Sequence, residues 1–180
     1  MRVAMCLPAY NEGGNLKHLL PRLVGEKLLH EIIVVASGCT DDTIEVAESF
    51  APRVQVLVQD KREGKSSAIN LFLAHTDADI IVMESTDTIP ALDCISIMLQ
   101  QFSSPLVGMV GAHPTPINNR TTVIGLAASI LWGGHHRLAL SKPKLGEMVA
   151  WRNVLSSIPS TSSVDEAAIE AAIVDLGLQL

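Results

Sequence analysis

Short apolar runs alternate with helix-like segments through the first 113 residues, and this alternation constrains the fold more than any other feature of the chain. Early runs such as "EIIVVA" (31–36) and "DIIVME" (79–84) are continuous apolar stretches rich in Ile and Val. Such strands are buried on both faces of a sheet, and parallel strands need crossover connections between them. The sequence therefore predicts an α/β, Rossmann-like fold with a mainly parallel central sheet and helices on both faces.

Six strands and six helices are predicted from these patterns. The strands are 2–8, 31–36, 53–59, 79–84, 106–113 and 146–151, and the helices are 15–24, 41–51, 65–75, 90–102, 121–140 and 164–176. Pro21 is expected to disturb the first helix, Pro90 suits the first turn of the fourth, and Gly177 ends the last. No linker or repeat interrupts the chain, so we treat residues 1–180 as one domain whose final third elaborates the repeating part.

Charge and cysteine content exclude several classes of protein. The net charge is −6 and there is no basic tract, which argues against nucleic acid as a partner. Cys6, Cys39 and Cys94 form no C-x-x-C pair, so neither a disulfide framework nor a structural zinc site is expected. The N-terminus does not have the pattern of a signal peptide. We therefore expect a cytoplasmic protein.

The longest apolar run, "VIGLAASILW" (123–132), is too short to cross a bilayer. A buried helix and a helix lying on a membrane surface both fit it, and His135, His136 and Arg137 follow directly. The two adjacent histidines point to different sides of a helix, which makes them a poor chelating pair. Residues 121–140 thus predict either core packing or a peripheral contact with the cytoplasmic face of a membrane.

Polar residues follow four predicted strands, at 9–12, 37–42, 61–65 and 85–87. In open α/β sheets, ligands bind beyond the carboxyl ends of the strands. These four segments are therefore expected to lie along one edge of the sheet and to make a single site.

The first two segments carry side chains suited to a nucleotide. Tyr10 can stack on a base, and Asn11 or Glu12 can bond to base or ribose edges; a turn with a helix cap explains the same residues. Gly38 suits a tight turn, with Asp41 or Thr40 as a cap for the next helix. The turn at 37–42 therefore either caps the helix only or also forms one wall of a nucleotide pocket.

The third segment, "REGKSSAIN" (62–70), places Gly64 and Lys65 just before a helix. Backbone N–H groups, the helix dipole and an ammonium together suit a phosphate. The segment is not a P-loop, because only one glycine of that motif is present. A solvated basic turn is the alternative.

The fourth segment, "ESTDTIP" (84–90), places Asp87 after a buried strand. Continued strand alternation would put Ser85 and Asp87 on one face and Glu84 on the other. A carboxylate there suits Mg²⁺ or Mn²⁺ bridging phosphates, although a helix cap before Pro90 is the alternative.

The last helix begins at "SVDEAAIE" (163–170). Ser163 and Glu166 fit a capping box, which explains the acids at the start of this helix. The alternative is that Asp165 or Glu166 acts as a general base.

Taken in order, these motifs resemble the family 2 glycosyltransferases, which have the GT-A nucleotide-sugar-binding fold. The segments "LPAYNE", "VVASGCTDDT", "REGKSSAIN", "DIIVMESTDTIP" and "VDEAAIEAAIVDLGLQL" are similar, in that order, to the successive motifs of the family. The resemblance covers nearly the whole chain. It implies a nucleotide-sugar-binding half at 1–112 and an acceptor-facing half at 113–180.

The resemblance also implies an enzyme that transfers a hexose-like sugar from a UDP- or GDP-sugar, with Mg²⁺ or Mn²⁺ and with inversion, in cell-wall or glycan synthesis. Asp87 would hold the metal, and Glu166, with its neighbour Asp165, would stand in the place of the catalytic base. The nucleotide-sugar-binding residues would be Pro8, Tyr10, Asn11, Glu12, Ser37, Gly38, Lys65, Ser85 and Thr86. The acceptor is unknown; a lipid-linked or cell-surface glycan fits the class.

Three departures from the family pattern keep a second interpretation open. Ser85 replaces the first acid of the family's D-x-D motif, and Ala36 and Ser37 replace its paired aspartates in the second motif. The sequence also stops at Leu180, before a segment that many members have, so we expect either a fragment with a truncated acceptor half or a minimal form. A degenerate module that binds a nucleotide sugar and acts with a partner is the alternative. A nucleotidyltransferase is less favoured, because "AYNEGGN" (9–15) has no Arg for a phosphate loop.

Overall fold

A computed structural model describes residues 1–139, 147–159 and 165–180. Every predicted strand and helix has a counterpart in it, with ends that differ by a few residues. Gly146 and Ser163, the predicted starts of the sixth strand and of the capping box, lie outside the described residues. In chain order the elements are β1 (Val3–Ala9), α1 (Gly13–Leu23), β2 (Glu31–Ser37), α2 (Thr43–Glu48), β3 (Gln55–Gln59), α3 (Lys65–Leu73), β4 (Ile80–Glu84), α4 (Cys94–Gln101), β5 (Met109–Gly111), α5 (Val123–Ala139), β6 (Met148–Arg152) and α6 (Asp165–Asp175).

The described strands form one sheet in the order β3-β2-β1-β4-β6-β5. The β1–β2, β1–β4 and β2–β3 pairs are parallel. Only β6 runs in the opposite direction, between β4 and β5. The predicted mainly parallel sheet is confirmed.

The core has two layers, one on each face of the sheet, because successive strand residues point to opposite sides. In β1, Met5 and Leu7 belong to the layer that contains α1 and α4, represented by Leu16 and Met98. Ala4 and Cys6 belong to the other layer, which α3 and α6 cover through residues such as Phe72 and Ile169. Helices therefore pack on both faces, as predicted.

The two prolines behave differently from expectation. Helix α1 continues through Pro21 and ends at Leu23, so the helix tolerates a proline that cannot donate a backbone hydrogen bond and stops two residues after it. Helix α4 begins at Cys94, so the prediction that Pro90 lies in its first turn is wrong. A turn closed by the Cys94 N–H on the Ala91 carbonyl separates the proline from the helix. The last helix does end before Gly177, whose φ is +78°.

Candidate active site

The carboxyl ends of the first three strands meet at one edge of the sheet. Ala9 is paired with Ala36, and Ser37 is paired with Gln59. Side chains in the loops that follow these strands are therefore held within reach of one another, as the sequence predicted.

A cleft of about 210 Å³ opens at this edge. Five of the predicted site residues line it, namely Pro8, Tyr10, Glu12, Ser37 and Lys65. The remaining lining residues are Ala9, Arg62, Gly64 and Ala68. The loops after β1 and β3 and the last residue of β2 thus contribute to a single concave surface, which is the expected form of a small-molecule site.

Arg62 is a cleft residue that the sequence interpretation did not single out. Its guanidinium carbon lies 4.0 Å from the centre of the Tyr10 ring. A cation over an aromatic face is attracted by the electrons of the ring. The position of Arg62 in the polar run after β3 was the only signal for it, and its contact with Tyr10 could not be read from the pattern.

Asn11 joins the first two loops through its side chain. Its Oδ1 accepts a 2.8 Å hydrogen bond from the Thr40 N–H, and its Nδ2 donates to Thr40 Oγ1 over 3.2 Å. The φ of Asn11 is +56°, a region that asparagine tolerates better than most residues. In this structure the amide therefore fixes the loops together and does not line the cleft.

Asp41 connects helices α1 and α2. Its carboxylate accepts hydrogen bonds from the backbone N–H groups of Thr43 and Gly13, the first residues of those helices, at 3.0 and 3.2 Å. Bonds from Thr43, chiefly from its hydroxyl, hold the pKa of Asp41 below its ordinary value. The N-cap residue of α2 is Asp42, so the prediction of Asp41 or Thr40 at that position is wrong. Asp41 still accepts the bond from the first N–H of α2, and Thr40 bonds to Asn11.

Ser37 and Gly38 hold the third loop against the end of β2. Ser37 Oγ accepts a 3.1 Å hydrogen bond from the Glu63 N–H. Gly38 has a φ of +65°, and a Cβ added there would lie 2.2 Å from the backbone nitrogen of Arg62. Only glycine fits this approach, so the predicted tight turn at Gly38 is confirmed.

Lys65 and Glu166 form an ion pair between Nζ and Oε1, although 101 residues separate them in the chain. Next to it, the Ser66 hydroxyl donates to Asp165 Oδ1. The Asp165 side chain is buried, and that of Glu166 is 13% exposed. The start of α6 is therefore docked on the start of α3, and the Glu166 carboxylate pairs with Lys65, which lines the cleft.

The fourth segment departs from the predicted geometry. Strand β4 ends at Glu84, and residues 85–88 form a turn in which the Thr88 N–H donates to the Ser85 carbonyl over 3.1 Å. Strand alternation therefore does not extend to Asp87, and the argument that placed Ser85 and Asp87 on one face by alternation is wrong. Asp87 is exposed and Thr86 is 6% exposed. Ser85, Thr86 and Asp87 are not among the residues that line the cleft.

Glu84 is buried at the end of β4. Its Oε1 accepts a hydrogen bond from Thr88 Oγ1, and its Oε2 is buried without a hydrogen-bond partner. Burial, with a contribution from the nearby Glu147 and Asp87 carboxylates, raises the pKa of Glu84 to about 7. The sequence predicted only that Glu84 points away from a metal site. It did not predict that the carboxyl is buried with one oxygen unpaired.

Among the described residues, no three His, Cys, Asp or Glu side chains come together in a way that could hold a metal ion. Asp87 offers one exposed carboxylate. Mg²⁺ is commonly held by one or two protein carboxylates and completes its shell with substrate phosphates and water. Asp87, which is not among the residues that line the cleft, would therefore suit only a metal that takes most of its ligands from a diphosphate and water.

Two solved structures show where this fold occurs. A mannosyltransferase from Pyrobaculum calidifontis, solved with GDP-Man and Mn²⁺, has a TM-score of 0.78 and 23% identity, covering 99% of this chain and 53% of that one. Glucosyl-3-phosphoglycerate synthase from Mycobacterium tuberculosis, solved with UDP, has a TM-score of 0.68 and 21% identity, covering 97% and 64%. The fold is the GT-A fold of glycosyltransferases.

Residues 5–161 match the model of glycosyl transferase family 2, and the chain belongs to this family. A poly-β-1,6-N-acetyl-D-glucosamine synthase from Staphylococcus aureus is 23% identical over 179 residues, which are 97% of this chain and 41% of that protein. A glycosyltransferase from Haloferax volcanii is 25% identical over 117 residues, 62% of this chain and 38% of that protein. The chain thus spans about two fifths of these curated relatives. Within the described ranges, no helix combines the length and apolar content needed to cross a membrane.

Proposed function

We propose that the protein is an inverting, metal-dependent glycosyltransferase that moves a hexose-like sugar from a nucleoside diphosphate sugar to an acceptor in cell-wall or glycan synthesis. The observation that carries this proposal is the ion pair between Lys65 and Glu166. It joins the residue expected to meet the diphosphate with the residue expected to be the base, at a cleft lined by other predicted nucleotide-binding residues.

The donor is a UDP- or GDP-sugar, with its nucleotide in the cleft. Tyr10 and Arg62 offer a ring and a guanidinium plane against which a base can stack. Lys65 stands at the first residue of α3, where its ammonium and the helix dipole both favour a diphosphate. The solved relatives named above hold GDP-Man and UDP, which supports this class of donor.

Glu166 serves as the general base, and Asp165 positions the start of α6 through Ser66. The acceptor hydroxyl oxygen attacks the anomeric carbon as the bond from that carbon to the diphosphate oxygen breaks, and the hydroxyl proton passes to the Glu166 carboxylate. When Lys65 turns to the diphosphate, an oxygen of Glu166 becomes available for the acceptor. Donor binding and base exposure are then linked through one ion pair.

Asp87 holds the Mg²⁺ or Mn²⁺ that accompanies the donor. A divalent cation at this place would neutralise charge on the departing diphosphate. The relatives solved with Mn²⁺ support the choice of metal, and the single carboxylate fits an ion shared with phosphate oxygens.

The acceptor is a lipid-linked or cell-surface glycan, met by the half of the chain at 113–180. We place the protein in the cytoplasm with a peripheral contact to the membrane through 121–140. The apolar, exposed character of α5 supports that placement, since Val123, Ile130 and Leu131 are 86%, 67% and 70% exposed.

A second function is favoured by specific residues. Ala36, Ser37 and Ser85 stand where the family pattern has carboxylates, so a degenerate module could bind the nucleotide sugar without transferring it and act through a partner. Asp87, Asp165 and Glu166 favour the enzyme.

Calorimetric titration with UDP and with GDP, each with and without Mn²⁺, tests the proposal. We expect one nucleotide to bind in a Mn²⁺-dependent way. That dependence should be lost in Asp87→Ala and kept in Asp77→Ala, an exposed acid that pairs with Arg2. If a folded protein binds neither nucleotide, the proposal is refuted.

A second variant separates the enzyme from the binding module. Glu166→Gln is expected to keep nucleotide binding. It should lose the slow cleavage of the nucleotide sugar, which is measured as the release of UDP or GDP. Equal release by the variant and the parent would exclude Glu166 as the base.

A further inference from the structure

The acidic residues of the chain are distributed unevenly. All 19 Asp and Glu residues lie outside 94–146, whereas this segment contains the basic residues Arg120, Arg137, Lys142 and Lys144. The segment is therefore cationic although the whole chain carries a net charge of −6. Helix α5 lies within it.

The outer face of α5 is apolar. Gly125 is its one buried residue, and Ile124, Leu126, Ile130 and Leu131 are 76%, 51%, 67% and 70% exposed. A helix on the surface of a soluble domain normally turns charged and polar residues outward. The pattern of α5 is the reverse, and a continuous apolar surface of this kind indicates a contact with something else.

The opposite side of α5 is held by the body of the protein. The His136 ring stacks on that of His113, which lies in the loop after β5, with ring centroids 3.7 Å apart. A Cβ on Gly125 would lie 1.9 Å from the Asn119 carbonyl oxygen, which shows how closely the first turn approaches the preceding loop. The helix is thus anchored on one side, and its apolar residues face outward.

The anchoring contact also places α5 with respect to the candidate active site. His113 follows the carboxyl end of β5, which points the same way as β4 because both are antiparallel to β6. The end of α5 that carries His136 and the loop that carries Asp87 therefore lie toward the same edge of the sheet.

We propose that the outer face of α5 docks on the surface of a bilayer that contains anionic phospholipids. Its apolar side chains would enter the boundary between headgroups and acyl chains, and Arg120 and Arg137 would meet the negative headgroups. Helix α5 is 17 residues long and lies along the surface without crossing it.

A second copy of the chain fits this surface less well than a membrane does. A symmetric dimer through α5 would bring the same patch of both subunits together. Arg137 would then approach Arg137 or Arg120 of the other copy, and residues 94–146 supply no carboxylate to separate them. Charge complementarity therefore favours the anionic lipid surface.

The docking itself does not require the transfer reaction. Its use rests on the proposed function, because a membrane contact at this edge would bring a lipid-linked acceptor to the cleft. Binding to vesicles can be measured without nucleotide, so a failure of docking and a failure of nucleotide binding are separate results.

Co-sedimentation with vesicles at low salt tests the proposal, using phosphatidylcholine alone and phosphatidylcholine mixed with phosphatidylglycerol. We expect binding to the mixed vesicles only, reversed by high salt.

The double variant Ile130→Glu/Leu131→Glu should lower the partition coefficient by at least about tenfold. Val174→Glu/Leu176→Glu adds the same charge at exposed apolar positions elsewhere and should bind as the parent does. No binding by the folded parent, equal binding to both vesicle types, or an equal loss in both variants would overturn the proposal. A dimer in light scattering that the Ile130/Leu131 variant abolishes would also overturn it.

Discussion

Replacing Glu84 with glutamine is expected to stabilise the protein at alkaline pH and to leave its stability unchanged in acid. The Glu84 side chain is 1% exposed, and its Oε2 has no hydrogen-bond partner. Burial raises the pKa of this carboxyl from 4.5 to about 7. Glutamine has the shape of the protonated carboxyl and can still accept the bond from Thr88.

The magnitude and sign follow from the difference between the folded and unfolded pKa. One pKa unit corresponds to about 1.4 kcal/mol, so the ionised side chain costs the folded state about 3 kcal/mol. The pKa is higher in the folded state, so the protonated form favours folding, and stability falls as the pH rises from 4.5 through about 7. A typical domain has a free energy of unfolding of about 5–15 kcal/mol, so the effect is large.

Urea denaturation followed by the fluorescence of buried Trp151 measures this effect. Between about pH 5 and pH 8.5 the free energy of unfolding of Glu84→Gln should rise relative to the parent by about 3 kcal/mol. Glu48→Gln, an exposed glutamate, should follow the parent at every pH. If the difference between Glu84→Gln and the parent does not change with pH, the carboxyl does not titrate near pH 7 and the reasoning is refuted.

Three other substitutions test the contacts that shape the site and its sheet. Gly38→Ala should lower the thermal midpoint, because a Cβ would meet the backbone of Arg62 and the φ of +65° is strained, at a cost of about 1–3 kcal/mol. Asp41→Asn should lower the urea midpoint at neutral pH; the pKa of Asp41 is depressed in the folded state, so the loss should disappear as the pH falls through that pKa. Arg152→Lys should cost about 1–3 kcal/mol in urea, because the guanidinium donates to three carbonyls of the 102–107 segment.

Controls separate these causes from general damage. Gly14→Ala, at a helical position where a Cβ has nothing within 4 Å, should not destabilise the protein. If Gly38→Ala has the same thermal midpoint as the parent, the loop after β3 moves aside at little cost in free energy. An Asp41→Asn effect that persists in acid would show that packing, and not the carboxylate, joins the two helices. An Arg152→Lys variant as stable as the parent would show that an ammonium satisfies the same carbonyls.

The strands and helices were predictable because their signals are local. The continuous apolar runs of β2 and β4 can be stable only where both sheet faces are covered, and the structure buries all five residues of β4. The order of strands was not predictable in the same way. The 146–151 segment was recognised as a strand, but nothing in it specifies a place between β4 and β5.

The candidate site was predictable where it depends on strand ends and was missed where it depends on side-chain contacts. The loops after β1 and β3 and the end of β2 do meet at one cleft, since parallel strands end at the same edge. Asp87 does not follow strand alternation, because the strand stops at Glu84. The packing of Arg62 on Tyr10 and the unpaired oxygen of Glu84 arise from tertiary placement, which no short sequence pattern encodes.

The position of β6 has a consequence for the order in which the chain can fold during synthesis. Strand β5 emerges before β6, yet among the described strands it pairs only with β6. A nascent chain that ends before residue 148 therefore leaves β5 unattached and leaves the buried strand β4 with an open edge, which invites pairing with other chains. The nucleotide-binding loops are translated early, but the sheet beneath them closes only when nearly the whole sequence has left the ribosome. The two halves of the chain are thus joined late, by β6 in the sheet and by α6 against α3, and neither half is expected to persist in solution when expressed alone.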